Sequence, residues 1–253
     1  MQVIILQKPG PLTAPFFASN LDKALDELKS DLSASAKVTG TSRKGWTRVD
    51  ITGDDEEILG ELVGRKFGIA QVELREVENL GVYDGVITGS TMENLQLDLG
   101  VETPKPSIVE VPLAALRAQL TDGKAVPCRD IVENYCLVAG VKISVRITRK
   151  NTDKVEAWLS DEQINRFSDW LQTGLDRILV FDCFKQNLES NIPKANLSRD
   201  IISVEPLTFT TQVAACKLGT DAIGLMPKLG AHLRKHELKP FIPKRIRTRC
   251  RQW

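Results

Sequence analysis

Apolar positions in residues 1–77 alternate between a strand period and a helical period. A four-residue apolar run at positions 3–6 predicts a strand. Leucines at helical spacing then predict a helix that Asn20 caps: Leu21, Leu25, Leu28 and Leu32. Two strands at 37–41 and 46–51, a helix ending at Gly68 and a last strand at 71–77 complete the unit. The resulting order βαββαβ is typical of a ferredoxin-like fold.

Residues 79–149 differ because glycines divide them into short β-type runs, which predicts a small barrel. The segment resembles an S1-type OB domain at 83–89, 95–100, 109–112 and 139–145, with the closing strand in a G-x-x-V-x-V pattern. S1 domains that bind single strands usually present aromatic residues, whereas Tyr83 is the one aromatic residue at the matching positions. Whether this barrel contacts RNA or serves as a spacer therefore stays open.

Residues 153–233 repeat the strand and helix order of the first unit. Ser160 is expected to cap a helix whose apolar face includes Phe167 and Trp170. A strand at 177–181, a helix at 185–195, two strands at 200–207 and 211–216, and an apolar segment at 220–229 follow. We therefore predict an α+β fold in which two ferredoxin-like βαββα units flank an S1-like OB barrel. The predicted divisions are a ferredoxin-like domain at 1–78, the barrel at 79–150, a second α/β domain at 151–238 and a basic extended tail at 239–253.

Several runs resemble an uncharacterised archaeal family that is classed as a domain of unknown function. They are the barrel segment, residues 127–133, and residues 199–202 continuing through 216–230. The resemblance covers nearly the whole chain and implies an archaeal cytoplasmic protein. It implies no catalytic residue.

Positive charge is concentrated at the end of the chain. Residues 228–253 contain nine Lys or Arg and one acid, Glu237. Since the whole chain has 34 basic and 33 acidic residues, residues 1–227 keep 25 and 32. An acidic body of net −7 thus precedes a segment of net +8, which suits a polyanion because neutralised phosphates release counterions. The alternative is a tail that folds back onto the acidic body or only solubilises it.

The remaining composition indicates a reduced cytoplasmic protein. Five cysteines, odd in number and widely spaced without a C-x-x-C pair, fit buried thiols. The N-terminal apolar run is too short for a signal peptide, and no stretch approaches the ~20 apolar residues of a membrane span. We therefore expect no membrane partner.

Most signals for catalysis are absent from the sequence. It contains no G-x-x-x-x-G-K-[ST], G-x-G-x-x-G or G-x-S-x-G motif. His232 and His236 would share a helical face, but they lack a third ligand and have basic neighbours, which disfavours a metal. The acidic run at 54–57 is better explained as a helix N-terminus than as a Mg²⁺ site. We predict no catalytic residue, no metal and no small-molecule cofactor.

Two basic segments are the candidate RNA-binding sites. The first is a hairpin tip with Arg43, Lys44, Trp46 and Arg48, in which Trp46 either stacks on a base or belongs to the core. The second is the tail, which Pro240 and Pro243 are expected to keep extended. Its candidate phosphate contacts are Lys244, Arg245, Arg247, Arg249 and Arg251.

The function hypothesis is a non-enzymatic RNA-binding protein of the archaeal translation or transcription apparatus, with ribosome association included. Its expected partner is structured RNA, with ribosomal RNA favoured, or a ribosome or RNA polymerase assembly. The alternatives are a protein–protein adaptor within such an assembly and, with less support, an RNA-modifying enzyme.

Overall fold

Two helix-backed antiparallel sheets and a closed barrel make up the molecule. The computed structural model describes residues 1–29, 31–151 and 154–252, the last four of these by their backbone alone. In the described parts of the chain, no helix is long and apolar enough to cross a membrane.

The N-terminal unit is a three-stranded sheet with two helices on one face. Its strands pair antiparallel in the order β1-β3-β2. Its elements are β1 (Gln2–Ile5), α1 (Phe17–Leu28), β2 (Ala34–Thr41), β3 (Thr47–Gly53) and α2 (Glu56–Phe67). Leu21, Leu25, Leu59 and Val63 are fully buried between helices and sheet, as their helical spacing predicts.

Two local predictions in this unit are wrong. Helix α1 begins at Phe17, and Asn20 lies inside its first turn with its amide nitrogen 2.8 Å from the carbonyl oxygen of Phe16. Residues 71–77 form a 3₁₀ turn at Leu74–Glu76 instead of a strand. Leu74 and Val77, three residues apart, pack into the core of the barrel, so the segment leaves the first sheet. A single antiparallel bridge from Ile5 to Ile69 stands beside β1.

The central unit is a closed five-stranded barrel. Its strands are β4 (Val82–Ser90), β5 (Asn94–Asp98), β6 (Val109–Pro112), β7 (Lys142–Lys150) and β8 (Val155–Leu159). Around the barrel they follow the order β4-β5-β6-β8-β7, and β7 pairs with β4 to close it. Helices α3 (Leu113–Leu120) and α4 (Cys128–Asn134) connect β6 to β7. This is an OB-like arrangement.

Strand β8 corrects the predicted boundary at residue 150. The sequence analysis assigned residues after 150 to the third unit, whereas β8 pairs with β6 and β7 inside the barrel. The burial of Val155, Ala157 and Leu159, alternating with outward residues, shows why β8 belongs there: its inner face fills the barrel. Ser160 then caps helix α5 (Asp161–Thr173) as predicted, accepting a hydrogen bond from Gln163 N at 3.2 Å.

The C-terminal unit is a four-stranded antiparallel sheet with the order β10-β11-β9-β12. Its elements are β9 (Arg177–Val180), α6 (Lys185–Lys194), β10 (Ile201–Pro206), β11 (Gln212–Cys216), α7 (Ala222–His232) and β12 (Leu238–Phe241). Helices α6 and α7 cover one face, and the other face packs on α5 and the barrel through Leu179, Val213 and Phe241. The unit therefore has six elements, not the predicted five.

The segment predicted as an extended tail is folded. Its first part is strand β12, which pairs with β9 as an edge of the sheet. Its second part is helix α8 (Pro243–Gln252), which begins at a proline. Proline is tolerated at the first helical position because the N–H that it lacks has no intrahelical partner there. Phe241 and Ile246 anchor the segment, since both are buried in the same core as α5.

Candidate nucleic-acid interface

Trp46, predicted either to stack on a base or to belong to the core, lies in the core. Its side chain is 2% exposed and packs with Leu6 and Ala70 where the first unit meets the barrel. The Lys8 ammonium covers the ring, with Nζ 3.7 Å from the ring centroid. Burial lowers the pKa of Lys8, an effect that the negative charge of Asp98 opposes. Trp46 is therefore not available to a nucleic acid in this conformation.

Lys44 is also used internally. Its Nζ lies 2.9 Å from Oδ1 of Asp98 on the barrel, and its backbone N donates to Oε1 of Glu102 at 3.0 Å. Asp98 is 8% exposed in its side chain and also accepts a hydrogen bond from Gly100 N at 2.7 Å. The hairpin tip therefore attaches the N-terminal unit to the barrel by a largely buried ion pair.

The other two hairpin cations differ in exposure. Arg43 is exposed and remains a candidate phosphate contact. Arg48 is half-buried on β3, and its Nε is buried without a hydrogen-bond partner in the described part of the chain. The structure thus leaves one of the four predicted hairpin residues fully exposed.

Helix α8 carries the predicted tail cations on the surface. Lys244, Arg245 and Arg247 are exposed. Arg247 donates through Nη2 to the carbonyl of Leu171 near the end of α5, where a cation is favoured by the helix dipole. Among the described side chains, none of these three cations forms an ion pair. The side chains of Arg249 and Arg251 lie outside the described residues.

The basic helix is held in place by apolar packing and by the contact of Arg247 with α5. Ile246 is 2% exposed and faces α5, while the preceding Phe241 is fully buried. Lys239, in β12, forms an ion pair, with Nζ 3.2 Å from Oε1 of Glu237. The fold therefore presents a cationic helix packed against α5 rather than an extended chain.

The barrel presents an aromatic side chain that the sequence analysis missed. Trp158 on β8 is 46% exposed and lies opposite Arg146 of β7. It was missed because β8 was assigned to the next unit, although the alternation at 155–159 is a strand signal. Tyr83, the predicted barrel aromatic, uses its hydroxyl internally, accepting from Glu78 N at 2.9 Å and donating to the carbonyl of Glu76 at 3.1 Å.

The two histidines do not share a helical face, because α7 ends at His232. His236 lies beyond the helix, with Nδ1 3.1 Å from the carbonyl oxygen of Phe181. Within residues 1–29, 31–151 and 154–248, no three His, Cys, Asp or Glu side chains are grouped as metal ligands would be.

The described cysteines are buried thiols with raised pKa values. Burial raises the pKa of Cys136 to about 12 and those of Cys183 and Cys216 to about 11, and it also raises the pKa of Cys128. A thiol with a pKa near 11 is thiolate in only about one molecule per thousand at pH 8, and the thiolate is the nucleophile. None of the four is set up for nucleophilic chemistry.

We expect iodoacetamide at pH 8 to leave these four cysteines unmodified in the native protein and to label them after denaturation. Peptide mass spectrometry of both samples measures this. Rapid native labelling of Cys136 or Cys183 would contradict the burial that the structure shows.

Comparisons with known proteins add a family match in the C-terminal unit. No curated protein matches the chain. Solved structures match as well. One is the a/eIF2alpha-aDim2p-rRNA complex from Pyrococcus horikoshii OT3, at 12% identity over 49% of this chain and 69% of that chain. Another is the intact alpha subunit of aIF2 from Pyrococcus abyssi, at 8% identity over 65% of this chain and 97% of that chain. Both have a TM-score of 0.25, and at this level neither assigns a function. The model of the DUF2110 C-terminal domain matches residues 175–239, from β9 into β12, which supports the resemblance to a family of unknown function.

Proposed function

We propose that the protein binds structured RNA through helix α8. The observation that carries the proposal is the exposure of Lys244, Arg245 and Arg247 on a helix that Phe241 and Ile246 fix to the core. A helix held in place loses little conformational entropy on binding, and arginine forms bidentate contacts with phosphate. The acidic remainder of the chain, net −7 in residues 1–227, favours an orientation in which this end meets the polyanion.

The finer assignments belong to the same proposal. The barrel is of the S1 type, and both flanking units are ferredoxin-like. Arg43, Arg249 and Arg251 extend the contact surface. The RNA belongs to the archaeal translation or transcription apparatus, with ribosomal RNA or a ribosome or RNA polymerase assembly as the partner, and the protein acts in the cytoplasm without catalysis.

A triple variant tests this proposal: Lys244→Gln, Arg245→Gln and Arg247→Gln. Each lost phosphate contact is expected to reduce the slope of log K against log salt by about 0.7–0.9, because fewer counterions are released. Fluorescence anisotropy with an RNA hairpin, titrated at several salt concentrations, measures the slope.

The matched control removes the same charge from the N-terminal unit, where Lys23, Lys37 and Lys66 are exposed on α1, β2 and α2. The slope of log K against log salt for their triple glutamine variant is expected to differ from that of wild type by less than about 0.9, the change caused by one phosphate contact. If wild type and the α8 variant have equal slopes, α8 does not contact the RNA and the proposal is overturned.

A protein adaptor is the second candidate function. It is favoured by edge strand β10, which in the described chain pairs only with β11 and carries Ile202 at 57% exposed. A free edge of this kind accepts an added strand from a partner. Partners that persist in pull-downs after nuclease treatment and are lost on Ile202→Lys would favour the adaptor over RNA binding.

A further inference from the structure

A cleft of about 730 Å³ is lined by residues of both the N-terminal and the C-terminal unit. This volume lies in the range of pockets that hold small organic ligands, about 300–1,000 Å³. Six residues define its chemistry: Phe16, Asn20, Asp182, Asn187, Arg234 and Lys235. Neither the hairpin nor helix α8 contributes to it.

Phe16 presents an exposed ring on a fixed backbone. Phe16 as a whole residue is 63% exposed. Its carbonyl accepts hydrogen bonds from Ser19 Oγ at 3.1 Å and Asn20 Nδ2 at 2.8 Å, so the first turn of α1 holds the residue in place. An exposed aromatic ring that lines a cleft offers a flat surface for stacking a base.

The part of the cleft that the C-terminal unit contributes is cationic. Arg234 and Lys235 follow α7, are exposed, and form no ion pair among the described side chains. Arg234 donates through Nε to the carbonyl oxygen of Ala231 at 3.1 Å, which leaves its terminal nitrogens for a ligand. His232 is exposed beside them, and the ring of His236 is held at the carbonyl of Phe181.

Asp182 is the one acid among the lining residues, and its oxygens are already engaged. Oδ2 accepts from Leu12 N at 2.6 Å, and Oδ1 accepts from Thr13 N at 3.2 Å and from Thr13 Oγ1. Gly10 permits this contact, since a Cβ there would lie 2.1 Å from Oδ1. Asp182 therefore shapes the wall and does not pair with Arg234 or Lys235.

We propose that this cleft binds a nucleotide, with the base against Phe16 and the phosphate on Arg234 and Lys235. Asn20 and Asn187 also line the cleft. Oδ1 of Asn187 already accepts from Asn191 Nδ2 at 2.9 Å, whereas Asn20, whose Nδ2 lies 2.8 Å from the carbonyl oxygen of Phe16, keeps Oδ1 and one N–H for the edge of a base. The inference deepens the proposed function and rests on it for the class of ligand: α8 contacts phosphates of structured RNA, and the cleft takes one unstacked nucleotide. The nucleotide is either part of an RNA single strand or a free nucleoside monophosphate.

The test uses a single-stranded hexanucleotide containing 2-aminopurine, whose fluorescence is quenched by stacking, with AMP as competitor. Because the ring supplies the stacking surface, Phe16→Ala is expected to weaken binding about tenfold and to abolish the added quenching. Phe16→Leu, which keeps an apolar side chain, is expected to do the same. Arg234→Gln with Lys235→Gln is expected to weaken binding about tenfold and to lower the salt slope by about 0.7 per contact.

The matched control is Lys194→Gln with Lys228→Gln, which changes two exposed cations outside the cleft and is expected to stay within twofold of wild type. The proposal is overturned if the wild type binds neither probe at millimolar concentration, or if either cleft variant binds within twofold of wild type. If AMP competes with the hexanucleotide, the site binds free nucleotides. If AMP does not compete, the site binds a nucleotide within a single-stranded RNA.

The α8 triple variant separates the two proposals. It is expected to bind the hexanucleotide within about twofold of wild type, while its salt slope with the RNA hairpin falls. If the α8 variant loses RNA-hairpin binding, the proposed role of α8 is supported. If the cleft variants at the same time bind the hexanucleotide like wild type, the proposed nucleotide site in the cleft is rejected. If instead the α8 variant binds the RNA hairpin like wild type and the cleft variants lose hexanucleotide binding, the role of α8 is rejected and the nucleotide site is supported.

Discussion

Replacing Phe241 by alanine is expected to lower the free energy of unfolding by about 3–5 kcal/mol, the usual cost of removing a buried aromatic side chain. Phe241 is fully buried at the end of β12. Its ring meets those of Trp170, Tyr135 and Phe167 at centroid distances of 5.1, 6.3 and 6.5 Å, so one residue connects the edge strand to α5 and the barrel. The loss would also release α8, which follows directly.

Urea unfolding monitored by tryptophan fluorescence measures the change. Leu218→Ala is a suitable control because Leu218 is 73% exposed, and surface substitutions usually change stability by less than about 0.5 kcal/mol. A loss below about 1 kcal/mol for Phe241→Ala would mean that the C-terminal segment is not part of the cooperative core.

Replacing Trp46 by alanine is the second change for which we expect a large effect, again about 3–5 kcal/mol of stability. The ring is 2% exposed and separates the first sheet from the barrel. Because a core residue does not touch the ligand, the folded variant is expected to bind an RNA hairpin with wild-type affinity.

Trp46→Phe is the matched variant. The indole Nε1 is buried without a hydrogen-bond partner in the described structure, and an unsatisfied buried donor costs about 1–3 kcal/mol. Phenylalanine removes that donor and keeps most of the ring, so its stability loss is expected to be clearly smaller than that of alanine. Thermal unfolding of both variants, with anisotropy on the RNA hairpin, provides the measurement. Weakened RNA binding at unchanged stability would instead identify Trp46 as a stacking residue.

Local patterns predicted helices α1 and α5, whereas the segment that forms α8 was predicted to be extended. The leucine spacing of α1 and the Ser160 cap of α5 depend on side chains within a few residues of each other. The predicted cap at Asn20 failed for a related reason. An amide near a helix start can also bond to a carbonyl inside the first turn, and the sequence does not distinguish the two.

The assignment of strands to sheets was less predictable. In strand β8 apolar and polar residues alternate, as in any half-buried strand. This pattern does not identify β6 and β7 as its pairing partners. Strand β12 is short and contains Pro240, which disfavours a central strand but is tolerated at an edge. Its pairing with β9 is a contact across about 60 residues of chain, set by the vacancy beside β9 rather than by local preference.

The candidate site shows the same division. The sequence alone shows which residues are cationic and that they cluster after residue 227. Which of them face solvent is not, because exposure depends on what the fold places beside each side chain. Lys44 forms an ion pair with Asp98 of the barrel, whereas Lys244 and Arg245 form no ion pair in the described structure and are exposed. The cleft around Phe16 joins residues 12 to 20 with residues 182 to 236, and only tertiary packing brings such distant segments together.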